Sequence, residues 1–130
     1  MGQFAVRPVS EMASLHDGAV RLVGAELDLK SFGIQLLDFP PGFAGYPEHD
    51  HGDDGMEEVY VVLDGSAEFE IDGELVPLDS TRILRVSPPA RRRLRPGPDG
   101  VRILAIGSTI GRPYERPGTF TVDAPPAAHA

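Results

Sequence analysis

Turn residues punctuate this chain at short, regular intervals. Thirteen prolines and fifteen glycines are spread over 130 residues. Proline removes a backbone donor, and glycine weakens helix interiors, so long helices are excluded over most of the length. Between the turns lie short runs rich in Val, Ile, Tyr and Phe. Glu58–Leu63 reads as the strongest strand, and Ser31–Phe39 as another. Asp64-Gly65 and Asp72-Gly73 carry the hairpin signature, so Ala67–Ile71 and Glu74–Leu78 are read as the strands that follow. Arg82–Val86, Arg91–Arg95 and Val101–Ile106 complete the series, with Pro96–Gly100 read as a turn. Ala19–Leu29 fits a strand or a strand plus a short turn. About eight short strands with no strong helix predict an all-β sandwich or barrel.

Hydrophobic residues make up 41% of the chain, enough for one core, and no linker divides it. A single domain over 1–130 is expected, with its core at about 20–110. Residues 1–18 read as an N-terminal arm and 111–130 as a flexible C-terminal tail, with Ala124–Ala130 disordered. No apolar run is long enough to span a membrane. The first residues lack the basic start and apolar core of a signal peptide, and a cytoplasmic location is expected. With no cysteines, thiolate chemistry and disulfides are excluded. The net charge of −8 disfavours nucleic acid as a partner.

The chemistry concentrates in one stretch. His49 and His51 are two residues apart, so in an extended segment they point the same way. Glu58 opens the next strand and shares a face with Tyr60 and Val62, while Glu57 and Val59 point away. Two imidazoles and a carboxylate form a ligand set for a divalent transition metal such as Fe, Mn, Ni or Zn. The competing reading is a solvated His-Asp-His-Gly-Asp-Asp loop. A calcium loop of EF-hand type is excluded, because Gly52 interrupts the acidic alternation. Imidazole ligands imply metal loss below about pH 6 as they protonate. Tyr46, Tyr60 and Phe43 are placed at a pocket mouth or in the core. His16 and His129 are read as surface residues.

The stretch from Gly45 through His49, His51 and Glu58 to Gly65 resembles the first motif of the cupin superfamily. A glycine lies six residues before the second histidine, and another lies seven residues after the glutamate. The loop between His51 and Glu58 is two or three residues longer than the usual pattern. The resemblance runs from about Phe32 to Ile106. It implies a double-stranded β-helix, or jelly-roll barrel, of the small single-domain "cupin 2 conserved barrel" type. It also implies a metal-capable pocket, a small-molecule ligand and a homodimer.

The second motif departs from the family. Its usual histidine, the fourth ligand, is missing from Leu78–Leu94. Counting from Pro88 puts Arg93 in that place, whereas strand alternation puts Arg92 there, on the face of Leu94. Alternation is preferred. Arginine does not ligate metals. Arg92 and Tyr60 are therefore expected to bind a small, anionic ligand beside a three-ligand metal, or Arg92 pairs with Glu58 and no metal binds. The rest of the cluster, Arg91, Arg93 and Arg95, reads as a charged strand edge. The expected function is a small barrel binding a divalent metal and a small ligand. As an enzyme it would be a metal-dependent oxygenase, isomerase or lyase. The alternative is a metal-free cupin that binds a small molecule or serves as a dimeric interaction module.

Overall fold

A computed structural model describes residues 2–122. The expected disorder of Ala124–Ala130 and the placement of His129 lie outside the described residues. The strands in chain order are β1 (Ser14–Leu15), β2 (Val20–Arg21), β3 (Gly33–Phe39), β4 (Met56–Ile71), β5 (Glu74–Asp79), β6 (Ile83–Val86) and β7 (Arg92–Thr109). A one-turn helix, α1 (Val23–Glu26), follows β2. The strands form one antiparallel array in the order β1-β2-β3-β7-β4-β5, with β6 added to β4. No described helix is long and apolar enough to cross a membrane.

Two of the expected turns are not chain reversals. The chain runs on through Asp64-Gly65 as the 16-residue β4, and through Pro96–Gly100 as the 18-residue β7. Glu58–Leu63 does not pair back on Ala67–Ile71, because both halves pair with β7. The register slips between Val62 and Asp64, and again between Gly65 and Ala67, where residues 97–100 stand opposite Ser66 alone. These are β-bulges, which bend a strand and increase its twist. The result is a strand folded onto itself. Nine residues of straight strand span about 30 Å, yet the rings of Tyr60 and Phe69 lie 4.8 Å apart. The inner faces of the two halves thus meet as a jelly-roll barrel. Asp72-Gly73 does form a hairpin, with φ of 48° and 85°, between β4 and β5.

Alternation fills the interior. Tyr60, Val62, Ala67 and Phe69 of β4 pack with Leu94, Val101 and Ile103 of β7 and Leu37 and Phe39 of β3. The same alternation turns Arg92 inward, beside Leu94.

The described segments on either side of the barrel strands pack against the barrel. The N-terminal arm supplies β1, and Met12 is buried. Its Ala13 N–H donates to Glu26, a carboxylate 6% exposed that also faces Arg7 at 3.4 Å. Ala19–Leu29 resolves into β2 and α1. Residues 111–122 run as a strap across the barrel mouth. The Arg116 guanidinium donates to the carbonyls of Leu29 (2.6 Å) and Gly24 (3.2 Å), and that of Arg112 to the Asp54 carbonyl (2.8 Å).

Gly65 sits where the bend is tightest. Its φ is +75°, and a Cβ there would run into the Gly100 carbonyl of β7. Gly73 has a similar φ of +85°, with open space around it. Gly65→Ala should therefore cost about 2–4 kcal/mol and Gly73→Ala only about 1 kcal/mol, measured by urea denaturation. Equal costs would mean that the close β4–β7 approach does not matter.

Candidate metal centre

Three elements bring the site together. The first is the extended segment at His49–His51. The His49 N–H donates to the Arg92 carbonyl (3.0 Å), the Arg92 N–H donates to the His49 carbonyl (2.8 Å), and the His51 N–H donates to the Pro88 carbonyl (2.8 Å). This short addition beside β7 turns both imidazoles inward and leaves Asp50 outside, facing Arg91 at 3.2 Å. The second element is β4, whose inward row runs Met56, Glu58, Tyr60. The third is the start of β7, which sends Arg92 in from the half of the barrel opposite Glu58.

Ligand atoms of His49, His51 and Glu58 lie within 4.8 Å of one another. The histidines are oriented from behind. His49 Nδ1 lies 3.0 Å from the Pro47 carbonyl, and His51 Nδ1 lies 3.0 and 3.1 Å from the two Asp54 oxygens. Both partners only accept, so each Nδ1 carries the proton and each Nε2 keeps its lone pair. His51 Nε2 is buried, 3.3 Å from Glu58 Oε1, and makes no hydrogen bond. A buried basic nitrogen without a donor, beside a second imidazole and a carboxylate, fits a divalent transition metal held by three protein ligands.

Glu58 Oε1 is the most contested atom of the site. The Tyr60 hydroxyl donates to it at 2.8 Å, and the Tyr46 hydroxyl donates in turn to Tyr60 at 2.8 Å. The Arg92 Nε lies 3.5 Å away. Arg92 is fully buried, with Nη2 donating to the Ser87 carbonyl at 3.2 Å and Nε and Nη1 unpartnered. Its neighbours face outward: Arg91 meets Glu48 and Asp50, and Arg93 meets Glu70 at 3.1 Å.

A cavity of about 340 Å³ opens from the three ligands toward the barrel mouth. Leu37, Phe39, Met56 and Ala105 form part of its wall, and Tyr114, Pro117 and Phe120 of the strap close over it. His16, exposed as expected, reaches its rim and packs edge-on against Phe43. Neither Arg92 nor Tyr60 lines the cavity, since both are fully buried behind Glu58. The structure thus unites His49, His51 and Glu58 at the cavity floor, and sets Arg92 and Tyr60 in a layer that supports the carboxylate. The expectation of an anionic ligand rested on Arg92 reaching the cavity, which it does not.

Sequence reasoning missed two contributors. Asp54 holds His51, and it sits in the stretch that makes the loop longer than the family pattern. That extra length was the available signal. The strap gave no signal, because Gly, Pro and isolated aromatics carry no periodicity.

No family model and no curated protein matches the sequence. The likeness lies in solved structures. A cupin protein from Bacteroides fragilis is 26% identical, with a TM-score of 0.69, over 85% of this chain and 88% of that one. The Cupin_2 domain of an XRE family transcriptional regulator from Enterobacter cloacae is 23% identical (TM-score 0.54), over 63% of this chain and 84% of that one. The DMSP lyase DddQ from Ruegeria pomeroyi is 24% identical (TM-score 0.52), over 59% of this chain and 38% of that one. The barrel and these neighbours define the class as a jelly roll. Together with the motif from Gly45 to Gly65, they make the chain a member of the cupin superfamily.

Titration at the site has a definite sign. The facing Glu58 carboxylate raises the His51 pKa, burial opposes this and Asp54 adds to it, for a net rise above the ordinary 6.5. Burial pushes the Glu58 carboxyl up, but His51, Tyr60 and Arg92 outweigh it and hold it below the ordinary 4.5. The lowered Glu58 pKa contributes stability that is present above pH 4.5 and lost as pH falls through the folded value. The raised His51 pKa contributes stability that is complete below pH 6.5 and lost as pH rises through the folded value. The pair should therefore stabilise the chelator-treated protein most between pH 4.5 and 6.5. Urea midpoints of wild type and His51→Gln should diverge most in that window. A difference independent of pH would show that the two groups are not coupled.

Proposed function

We propose that this chain is a metal-binding cupin barrel that holds a small molecule against a divalent centre made by His49, His51 and Glu58. One observation carries the reading: three donors converge at the floor of a cavity while both Nδ1 atoms are tied off behind them. The metal would supply Lewis acidity and open coordination positions at the cavity floor. Glu58 stays ionised under its three cationic and hydroxyl neighbours. Tyr60 fixes its Oε1, Asp54 and the Pro47 carbonyl fix the imidazoles, and the strap lies along the cavity. Open positions suit oxygenase, isomerase or lyase chemistry. The solved neighbours include a lyase and a regulator domain, so their names do not choose among these.

A second reading has its own observation. Arg92 Nε stands 3.5 Å from Glu58 Oε1, where a guanidinium could replace the metal as the carboxylate's counter-charge. The barrel would then bind its small molecule without metal. A homodimer, if it forms, would use the outer side of β4 and β6, where Leu63 and Ile83 are 49% and 70% exposed.

Elemental analysis separates the metal-bound and metal-free readings. Protein exposed to Mn, Fe, Ni or Zn and then desalted should retain one ion per chain. His49→Ala should retain almost none, and Asp54→Ala should bind about 10–100-fold more weakly through loss of the His51 support. Substoichiometric metal that is the same in wild type and His49→Ala would reject the metal centre in favour of the metal-free barrel.

A further inference from the structure

The wall of the cavity names the class of molecule that fits it. Its floor carries the polar groups His49, His51 and Glu58. Above them the wall is apolar and aromatic: Phe39 and Phe43 stack with ring centroids 4.5 Å apart, and Tyr46 packs 6.0 Å from Phe39. Val20, Ile34 and Leu37 continue the wall, and Phe120 comes down from the strap. Among the described residues, no lysine or arginine lines the cavity. The nearest interior guanidinium, Arg92, is fully buried and points at Glu58 from behind. A second anionic group on a ligand would therefore be stripped of water against hydrocarbon with no counter-charge, which is strongly unfavourable. An apolar body gains from the same burial.

The volume sets the scale. At about 30 Å³ per water, 340 Å³ holds roughly eleven waters. That is near the lower bound of ordinary small-molecule pockets. Flat rings suit it better than a flexible chain, because stacked and tilted aromatic side chains offer faces and edges to a ring at centroid distances of about 4.5–7 Å.

We infer that the cavity takes a small, aromatic-bodied, uncharged molecule that carries its oxygen function at one end only. The oxygen end points to His49, His51 and Glu58, and the ring lies among Phe39, Phe43 and Phe120. Dicarboxylates and phosphorylated metabolites are excluded by the wall. The orientation rests on the metal-centre reading of the floor, whereas the apolar selectivity rests on the wall alone.

The test uses two probes, 2-naphthol and succinate, titrated calorimetrically into zinc-loaded and into EDTA-treated full-length protein. 2-Naphthol should bind at least tenfold more tightly than succinate in both preparations. Phe120→Ala, whose side chain belongs to the strap and not to the barrel core, should weaken 2-naphthol at least fivefold while keeping the wild-type melting temperature within a few degrees. Tighter binding of succinate, or 2-naphthol binding indifferent to Phe120→Ala, overturns the inference. Zinc content measured on the same samples keeps the two ideas apart. Naphthol binding sensitive to Phe120→Ala without retained zinc sinks the metal centre and leaves this inference standing. One zinc per chain with succinate preferred does the reverse.

Discussion

The pairing of β4 with β7 carries the architecture, and its interruption matters as much as its length. A long antiparallel ladder left straight would make a flat ribbon with two wet faces. Here both strands break register at the same level, so the two halves of each strand belong to facing walls. Tyr60 and Phe69 then meet across the interior they create. Three strands attach directly to this bent pair, and β2 and β1 follow outward from β3. β6 extends one half of β4, β5 extends the other, and β3 lies along β7. The site depends on the same bend, because Glu58 and Arg92 belong to different halves and face each other only once the strands have folded over.

That arrangement places opposite charges in a nearly dry interior. Burying an unpaired arginine is among the costlier things a small domain can do, and a paired one still carries a desolvation penalty. Arg92 is incompletely compensated: two of its three nitrogens have no hydrogen-bond partner, and its Glu58 contact is long. The Glu58 carboxylate is shared among the Tyr60 hydroxyl, His51 and Arg92. A carboxylate so surrounded stays ionised despite burial, as a metal ligand must. The positive charge of Arg92 beside it opposes a further cation. Arg92 would therefore act on any metal held by these residues through Glu58, and it is not among the residues that line the cavity.

Much of this was legible in the sequence, and the misses have a common cause. Inward and outward positions followed from period-two alternation. It put Glu58, Tyr60 and Val62 on one face and separated Arg92 from Arg91 and Arg93, because a one-residue error would have buried the wrong charges. The strand ends were less legible. Asp64-Gly65 reads equally as a hairpin turn or a bulge, since both use a residue with positive φ. What distinguishes them is the partner, β7, which lies some thirty residues further along the chain. The strap was illegible for the same reason. Arg116 and Arg112 look like surface charges until the carbonyls of Gly24, Leu29 and Asp54 are set in front of them.

The position of Arg92 shows a different limit of pattern. Arg92 was placed correctly on the inner face, but an inner face is not yet a cavity wall. In a barrel that bends at its middle, one inward row supplies both the packed core and the lining of the open end. Leu94 and Arg92 of β7 belong to the packed end, whereas Ala105 and Gly107 of the same strand line the cavity. The methyl of Ala105 and the bare backbone of Gly107 leave the room that Phe69 and Leu94 fill at the other end. The chemistry available to a ligand is thus set by residues near the mouth, including the strap that covers it. These are the parts of the chain where pattern says least and where cupins of one fold are free to differ.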